Sequence, residues 1–305
     1  MSFEDILRKN KFILAEASIV EVLRRSKRVE LHPQFVHTLF IYDEIGKEEL
    51  SKLYCDYITV AEKAGVPIVT LTPTWRADKT RLSEAGVTQD VNKDAAEFMK
   101  RIRSDWGAWQ DNIFIGGCIG CKNDCYKPSE ALSTQEAYDF HSWQINKLAP
   151  TGVDFLIAAT LPALSEALGI AKAMSETGVP YIISFVINRK GQVLDGTSLE
   201  HAFRTIDSVC ERPPIGYMVN CAHPSFVRAS EQPDIVLSRF IGIQANASSC
   251  DQADLDSAAT LQVDDIPDWG RQMIELNMEY GVKILGGCCG TGTRHMQFIV
   301  DNIKV

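Results

Sequence analysis

Eight short β-rich runs alternate with amphipathic stretches along the chain, and this alternation constrains the fold more than any other feature. In the intervening stretches, apolar residues recur about three and four positions apart, which is typical of helices with one buried face. Regular strand–helix alternation favours a parallel sheet covered by helices, and eight strands is the number that closes a barrel. The predicted strands are Phe12 to Ser18, Pro67 to Thr72, Asn112 to Cys118, Phe155 to Thr160, Tyr181 to Ile187, Ile215 to Cys221, Phe240 to Asn246 and Val282 to Gly287.

The length of the chain suits one such barrel. Its 305 residues, 45% of them hydrophobic, are enough to bury a single large core. We therefore predict one α/β domain over residues 1–305, folded as a (β/α)8 TIM barrel. A doubly wound open sheet is the alternative, but no GxGxxG sequence follows the first predicted strand. The predicted helices are Lys47 to Ala64, Gln89 to Trp106, Thr134 to Leu148, Ala163 to Glu176, Leu199 to Val209 and Trp269 to Tyr280.

Charge and cysteine content exclude some partners. The chain has 31 basic and 40 acidic residues, a formal net charge of −9, and no basic stretch with interleaved aromatics, so nucleic acid is not expected as a partner. No apolar run of about 18 residues predicts a membrane span. Nine cysteines without a recognisable export signal favour free thiols and metal ligands over a disulfide framework. We therefore expect a soluble cytoplasmic protein of unknown oligomeric state.

Two adjacent cysteines end the last predicted strand, and they are the strongest functional signal in the chain. Cys288 and Cys289 lie in the sequence Gly-Gly-Cys-Cys-Gly-Thr-Gly. Neighbouring cysteines are too strained for a routine disulfide, whereas a catalytic zinc takes three protein ligands, often thiolates, and leaves a fourth position open. The surrounding glycines allow backbone to crowd close to an ion. Ordinary buried cysteines are the alternative.

A third ligand is predicted at Cys221. It follows the apolar run Ile215 to Val219 and therefore ends a predicted buried strand. In a closed barrel, the carboxyl ends of all strands meet at one face, which carries the active site. Cys221, Cys288 and Cys289 all lie at such ends, so the sequence predicts a Zn²⁺ site made of these three cysteines.

These motifs resemble those of the homocysteine S-methyltransferase family. The resemblance covers Asn220-Cys221 and residues 286–295, with weaker similarity along almost the whole chain. It implies a zinc-dependent S-methyltransferase in which a small thiol, homocysteine by default, becomes a zinc thiolate. That thiolate would attack a methyl donor such as S-methylmethionine or S-adenosylmethionine. A free thiol is only about 3% ionised at pH 7, so full ionisation on a metal raises the thiolate fraction roughly 30-fold.

The predicted substrate pocket departs from the family pattern at two strands. After the first strand, the acidic residue is present as Glu16, but the glycines that usually follow it are absent. In the fourth strand, Ala159-Thr160 stands where the family has Glu-Thr. Loss of a charge-assisted hydrogen bond to the ammonium of homocysteine costs about 1.5 to 3 kcal/mol. We predict substrate contacts from Glu16, Thr160, Asn246 and Cys118. A thiol other than homocysteine is the alternative acceptor.

Several other residues have two interpretations. Cys118, Cys121 and Cys125 form a CxxCxxxC cluster that either binds a second metal or simply shapes a loop. His141 is more simply interpreted as an interior histidine than as a base. His223 and His295 are candidates for contacts behind the metal ligands. Trp75 is either a wall of the donor site, since aromatic faces suit methyl-onium cations, or a core residue.

Two further functions stay open. In one, a separate corrinoid protein docks over the barrel mouth and delivers the methyl group. In the other, the chain is a zinc-binding barrel subunit without catalysis. The altered sequences of strands one and four are the observation that favours the second.

Overall fold

The eight predicted strands form, and they close into one parallel barrel. The computed structural model describes residues 2–251 and 262–303. Each strand pairs with its neighbours in chain order, and the first pairs with the last, which confirms the (β/α)8 fold. The strands are β1 Ile13–Ala15, β2 Ile68–Leu71, β3 Ile113–Gly120, β4 Phe155–Leu161, β5 Tyr181–Phe185, β6 Gly216–Asn220, β7 Phe240–Ala245 and β8 Ile284–Gly287.

Helices cover the outside of the barrel. All six predicted helices are present, and the described residues contain five shorter ones that were not predicted because each offers only one to three turns of periodicity. None of the helices in the described ranges is both long and apolar enough to cross a membrane. The helices are α1 Phe3–Lys9, α2 Val20–Arg25, α3 Glu44–Ala64, α4 Lys79–Glu84, α5 Val91–Ser104, α6 Thr134–Leu148, α7 Leu164–Ser175, α8 Leu199–Val209, α9 Asp234–Arg239, α10 Ile266–Met278 and α11 Thr293–Asn302.

Local sequence signals fix the helix ends. The α6 helix begins with a capping box, in which the Ser133 hydroxyl accepts from the Glu136 N–H and the Glu136 carboxylate accepts from the Ser133 N–H. Such caps satisfy the free N–H groups of the first turn. At the end of α3, Gly65 adopts the left-handed conformation with φ 68°, which glycine reaches without the penalty of a Cβ. The strand–helix alternation is thus set locally before the barrel closes.

The two ends of the barrel differ in chemistry. At the amino-terminal end, Phe3 of α1 stacks on Phe155 with ring centroids 4.2 Å apart and also meets Phe114. This aromatic plug closes that end with apolar side chains. The carboxyl-terminal end instead carries polar side chains and thiols, and every functional residue predicted from the sequence lies there or beside it.

Candidate metal centre

Cys221 is the first residue after β6, which ends one residue earlier than predicted. Its backbone N–H donates to the carbonyl of Gln244 at 3.2 Å, so the neighbouring strand β7 holds it in place. Its φ is 53°, a left-handed conformation that non-glycine residues rarely adopt. Such strain persists where the surroundings hold it, and it sets the direction in which the side chain leaves the strand.

Cys288 and Cys289 follow the last residue of β8. The Cys288 N–H donates to the Ala245 carbonyl at 2.7 Å, and the Cys289 carbonyl accepts from the Ala247 N–H at 2.9 Å. Glycine is required beside them, because a Cβ on Gly287 would lie 2.0 Å from the Thr291 hydroxyl oxygen. The pair is therefore held between β7 and the turn that begins α11.

The structure brings the three sulfur atoms together from two distant segments. All three lie within 4.8 Å of one another, and no second group of three potential metal ligands this close occurs in residues 2–251 and 262–303. The Sγ atoms of Cys221 and Cys288 are 2.7 Å apart. Tetrahedral zinc with bonds near 2.3 Å requires sulfur–sulfur edges of about 3.8 Å. If the Cys221 and Cys288 sulfurs move about 1 Å farther apart, the ion can bind between them. This set of donors therefore fits zinc.

The electrostatics of the cluster also favour a cation. Hydrogen bonding from Cys221 lowers the pKa of Cys289 well below the ordinary thiol value. Conversely, the hydrogen bond to Cys288 raises the pKa of Cys221. One thiolate therefore suppresses ionisation of its neighbours, and three thiolates at this spacing need a compensating positive charge.

Asn220 links the cluster to the opposite wall of the barrel. Its Nδ2 donates to the Cys221 sulfur at 3.4 Å. Its Oδ1 accepts from the Thr160 N–H at 2.9 Å and from the Ser184 hydroxyl at 2.7 Å. Strands β4, β5 and β6 thus converge on one buried amide. The sequence analysis assigned Asn220 no role of its own, although its position directly before Cys221 was a usable signal.

A cavity of about 820 Å³ opens at this end of the barrel, and the three cysteines line one side of it. Three of the four residues predicted to contact substrate also line it, namely Glu16, Cys118 and Thr160. Asn246 lies outside the cavity lining in the described part of the chain. Its Oδ1 accepts from the Cys289 N–H at 3.1 Å, so it contacts the cysteine pair from behind.

Glu16 lies on the cavity wall just after β1. Its Oε2 accepts from the backbone N–H of Leu71 at 2.8 Å. Burial raises the pKa of this carboxyl from 4.5 to about 8, although the bond from Leu71 acts in the opposite direction. Glu16 is therefore mostly uncharged at neutral pH, and it presents a carboxylic acid rather than a carboxylate.

Trp75 and Thr160 form a contact across the cavity. The indole N–H of Trp75 donates to the Thr160 hydroxyl at 2.8 Å, and both residues line the cavity. The guanidinium of Arg76 covers the Trp75 ring at 4.1 Å from its centroid, so one aromatic face is already occupied. Thr160 has a φ of 60°, and the hydrogen bond from Trp75 helps to hold that unusual conformation.

Of the three cysteines in the CxxCxxxC sequence, Cys118 lies within β3, and Cys121 and Cys125 lie in the structured loop that follows it. Cys121 donates to the carbonyl of Asn123 at 3.4 Å, and burial raises its pKa to about 12. Burial likewise raises the pKa of Cys118 and Cys125. In the described residues these three thiols do not form a group of potential metal ligands within 4.8 Å of one another. The interpretation as a loop is therefore preferred over a second metal site.

The three histidines lie behind the cavity. The Nε2 of His141 is 3.0 Å from a carboxylate oxygen of Glu166, and this pair is buried. His223 contacts the Ser225 hydroxyl through Nδ1 at 2.8 Å. The ring of His295 packs edge-on against Trp269, with centroids 5.0 Å apart. None of His141, His223 and His295 belongs to the lining of the cavity in the described ranges.

Comparison with known proteins identifies related sequences. The profile of the family described as homocysteine S-methyltransferase matches residues 16–303. A curated relative, homocysteine S-methyltransferase YbgG of Bacillus subtilis (strain 168), is 25% identical over 189 residues, which cover 57% of this chain and 54% of the relative. The matched part thus spans about half the length of that relative.

Solved structures with the same fold include the homocysteine methyltransferase MmuM from Escherichia coli. Its metallated form superposes with a TM-score of 0.71 at 16% identity, covering 97% of this chain and 98% of that one. Its oxidized form gives a TM-score of 0.73 at 16% identity, with 96% of each chain covered. At this identity the likeness concerns the fold alone.

Proposed function

Because this chain belongs to the homocysteine S-methyltransferase family, we propose that it transfers a methyl group to the sulfur of a small thiol, assisted by a zinc ion that Cys221, Cys288 and Cys289 hold. The observation that carries the proposal is the convergence of these three sulfurs, within 4.8 Å of one another, on the wall of an 820 Å³ cavity. Three protein ligands leave one position for a substrate sulfur. Homocysteine is the reference acceptor.

A zinc ion held by Cys221, Cys288 and Cys289 would supply thiol acidity, since a coordinated thiol is deprotonated at neutral pH. The chain supplies the geometry. Asn220 donates to the Cys221 sulfur and Asn246 holds the backbone of Cys289, so each of these two ligands has a fixed direction. Loss of such a contact behind a metal ligand typically lowers metal affinity by 10- to 100-fold.

The reaction is a displacement at a methyl carbon. The acceptor thiol loses its proton to solvent, and its sulfur forms a bond to the methyl carbon of an onium donor. The bond from that carbon to the donor sulfur breaks, and its electron pair stays with the donor, which leaves as a neutral thioether. S-Methylmethionine and S-adenosylmethionine are donors of this class. The cavity orients the two partners in line, which is the main contribution that a protein makes to such a transfer.

The test combines metal content with turnover. The zinc-loaded protein is mixed with homocysteine and either S-methylmethionine or S-adenosylmethionine, and methionine is measured. We expect about one zinc per chain, turnover without any added protein, loss of turnover on chelation and recovery with Zn²⁺. Turnover only with a methylated corrinoid protein would instead favour the partner-dependent alternative. A zinc ion with four protein ligands and no turnover would favour the non-catalytic barrel and contradict the proposal.

A further inference from the structure

Two cations in the lining of the cavity have no ion-pair partner among the residues that the structure describes. Arg76, after β2, and Lys122, after β3, both line the cavity. In the described part of the chain, neither has a carboxylate within ion-pairing distance. Positive charge that a protein leaves unpaired inside a cavity costs free energy unless a ligand compensates it. The two cations therefore indicate an anionic ligand.

The position of Arg76 is fixed without being neutralised. Its Nη1 donates to the backbone carbonyls of Cys121, Lys122 and Asn123 at 2.9, 3.1 and 3.0 Å. Its guanidinium carbon lies over the ring of Trp75. These contacts orient the guanidinium, but carbonyls and an aromatic face do not cancel its charge. The remaining N–H groups keep the fork geometry that suits a carboxylate or sulfonate.

Lys122 presents a second cation beside the first. Its ammonium lies 5.0 Å from the centroid of the Phe140 ring, and Phe140 also lines the cavity. Its backbone N–H is anchored by Glu166 at 2.8 Å, so the loop that carries it is held in place. A ligand with an aliphatic body finds apolar surface on Phe140 next to this charge.

Most acidic residues of the same wall are already paired. Asp78 pairs with Arg81. Asp124 and Glu130 both approach the Lys127 ammonium, at 3.5 and 3.6 Å. Their ion pairs are therefore with Arg81 and Lys127 rather than with Arg76 and Lys122, and Asp78 attracts Arg76 only at longer range.

The inner part of the cavity offers little to an ammonium group. Ala159 of β4 contributes only a methyl group to the lining. Glu16 is buried, and its pKa is raised to about 8. Glu84, which also lines the cavity, is exposed at its outer rim. A substrate ammonium beside Glu16 would thus meet a carboxyl group that is mostly protonated at neutral pH.

We propose that the acceptor of this enzyme is a thiol that carries a carboxylate or sulfonate and no α-ammonium, with Arg76 and Lys122 binding the anionic group while the sulfur faces Cys221, Cys288 and Cys289. This inference rests on the proposed methyl transfer to a thiol. It assigns the specificity of the acceptor to the two loops that follow β2 and β3.

Calorimetric titration of the zinc-loaded protein tests the proposal with matched thiols. Homocysteine and 4-mercaptobutyrate differ only in the α-ammonium, and 4-mercaptobutanol replaces the carboxylate by a neutral hydroxyl. We expect 4-mercaptobutyrate to bind at least as tightly as homocysteine and about 10- to 150-fold more tightly than 4-mercaptobutanol, the range expected for one charge-assisted hydrogen bond. Homocysteine binding 10-fold or more tightly than 4-mercaptobutyrate would overturn the proposal.

Substitutions of Arg76 and Lys122 test whether these two residues bind the anionic group of the ligand. Arg76→Gln and Lys122→Gln should each reduce the preference for 4-mercaptobutyrate over 4-mercaptobutanol, and Arg76→Lys should retain part of it. Arg204→Gln is the matched control, because Arg204 is exposed on α8 and pairs with Glu200. Lys122→Gln guards against a folding artefact, since only the backbone of Lys122 anchors the loop. An unchanged preference in Lys122→Gln and Arg76→Gln would contradict the assignment.

Ethanesulfonate, which has no thiol, separates this inference from the proposed function. Its binding should weaken in Arg76→Gln and Lys122→Gln and should not require zinc. If neutral and anionic thiols bind equally and are both methylated, the anion site is wrong while the proposed function stands. If ethanesulfonate binds but no thiol binds to the zinc-loaded protein, the proposed function fails and the assignment of a thiol acceptor falls with it.

Discussion

The two sides of the barrel mouth are built in different ways. On the side of β6 and β8, the cysteines directly follow strand ends, and backbone hydrogen bonds to β7 hold them. On the side of β1 to β4, side chains depend on partners far along the chain. Trp75 bonds to Thr160 across 85 positions, and Glu16 bonds to the backbone of Leu71 across 55. The first side is located by the strand pattern of the sequence, because its cysteines directly follow strand ends, whereas the contacts of the second side follow no such pattern.

The largest effect is expected when one of the three cysteines of the metal site is replaced. Cys221→Ala should remove bound zinc and abolish methyl transfer, because two remaining sulfurs do not hold the ion in a tetrahedral site. Metal content is measured by elemental analysis of the purified variant beside Cys210→Ala, which removes a buried thiol that does not line the cavity. Retention of full zinc and full rate by Cys221→Ala would refute the ligand assignment.

The next effect concerns the residue that joins the two sides. Asn220→Ala leaves the Thr160 N–H and the Ser184 hydroxyl without their buried acceptor, which should lower the free energy of unfolding by about 1 to 3 kcal/mol. Zinc affinity should fall by roughly 10- to 100-fold, because the bond to the Cys221 sulfur is lost. Chemical denaturation and zinc competition measure the two effects.

Asn302→Ala, at the exposed end of α11, provides the control for Asn220→Ala. It should leave both the free energy of unfolding and zinc affinity close to the wild type. Weaker stability with unchanged zinc affinity in Asn220→Ala would confine Asn220 to a structural role.

A pH-dependent effect tests the β1 side. The folded protein keeps the Glu16 proton up to about pH 8, while the unfolded chain releases it near 4.5. Between these values the folded state binds more protons, so the contribution of Glu16 to the free energy of unfolding falls as pH rises, by about 1.4 kcal/mol per pH unit. Glu16→Gln removes this slope. In urea denaturation, the free energy of unfolding of Glu16→Gln should therefore rise relative to that of the wild type between pH 5 and pH 8. An equal difference between the two proteins at pH 5 and pH 8 would exclude the raised pKa.

The smallest effect lies in the loop after β3. Cys121→Ser and Cys125→Ser should leave zinc content unchanged, because neither thiol belongs to the group of three sulfurs. The unfolding free energy should fall by about 0.5 to 3 kcal/mol, because each substitution places a hydroxyl among buried apolar residues. Loss of zinc in either variant would show that the loop after β3 contributes to the metal site. It would contradict the distinction between the cysteine side and the side of β1 to β4.

Sequence patterns predicted the barrel well because its determinants are local. The β-rich runs and the helical periodicity between them identified eight strands, and the cysteines that follow β6 and β8 were predictable because parallel strands place their carboxyl ends at one face. The small displacements, such as β6 ending at Asn220, reflect the left-handed conformation of Cys221, which the sequence does not encode in any simple pattern.

The substrate side was less predictable because its contacts are tertiary. The direction of Asn246 toward the Cys289 backbone depends on how β7 and β8 pair, and the raised pKa of Glu16 depends on burial that only the closed barrel creates. Arg76 is a clear case: its three carbonyl partners lie 45 to 47 positions away, and no spacing rule links them. The sequence therefore predicted which side chains lie at this end of the barrel more reliably than it predicted their contacts.

X-ray absorption at the zinc edge of the purified, zinc-loaded protein tests the central claim most directly, because it counts the sulfur atoms around the ion. We predict three sulfurs at about 2.3 Å and one lighter ligand, with a fourth sulfur replacing that ligand when an acceptor thiol is added. Two or fewer protein sulfurs, or a shell that does not change with the thiol, would contradict the account.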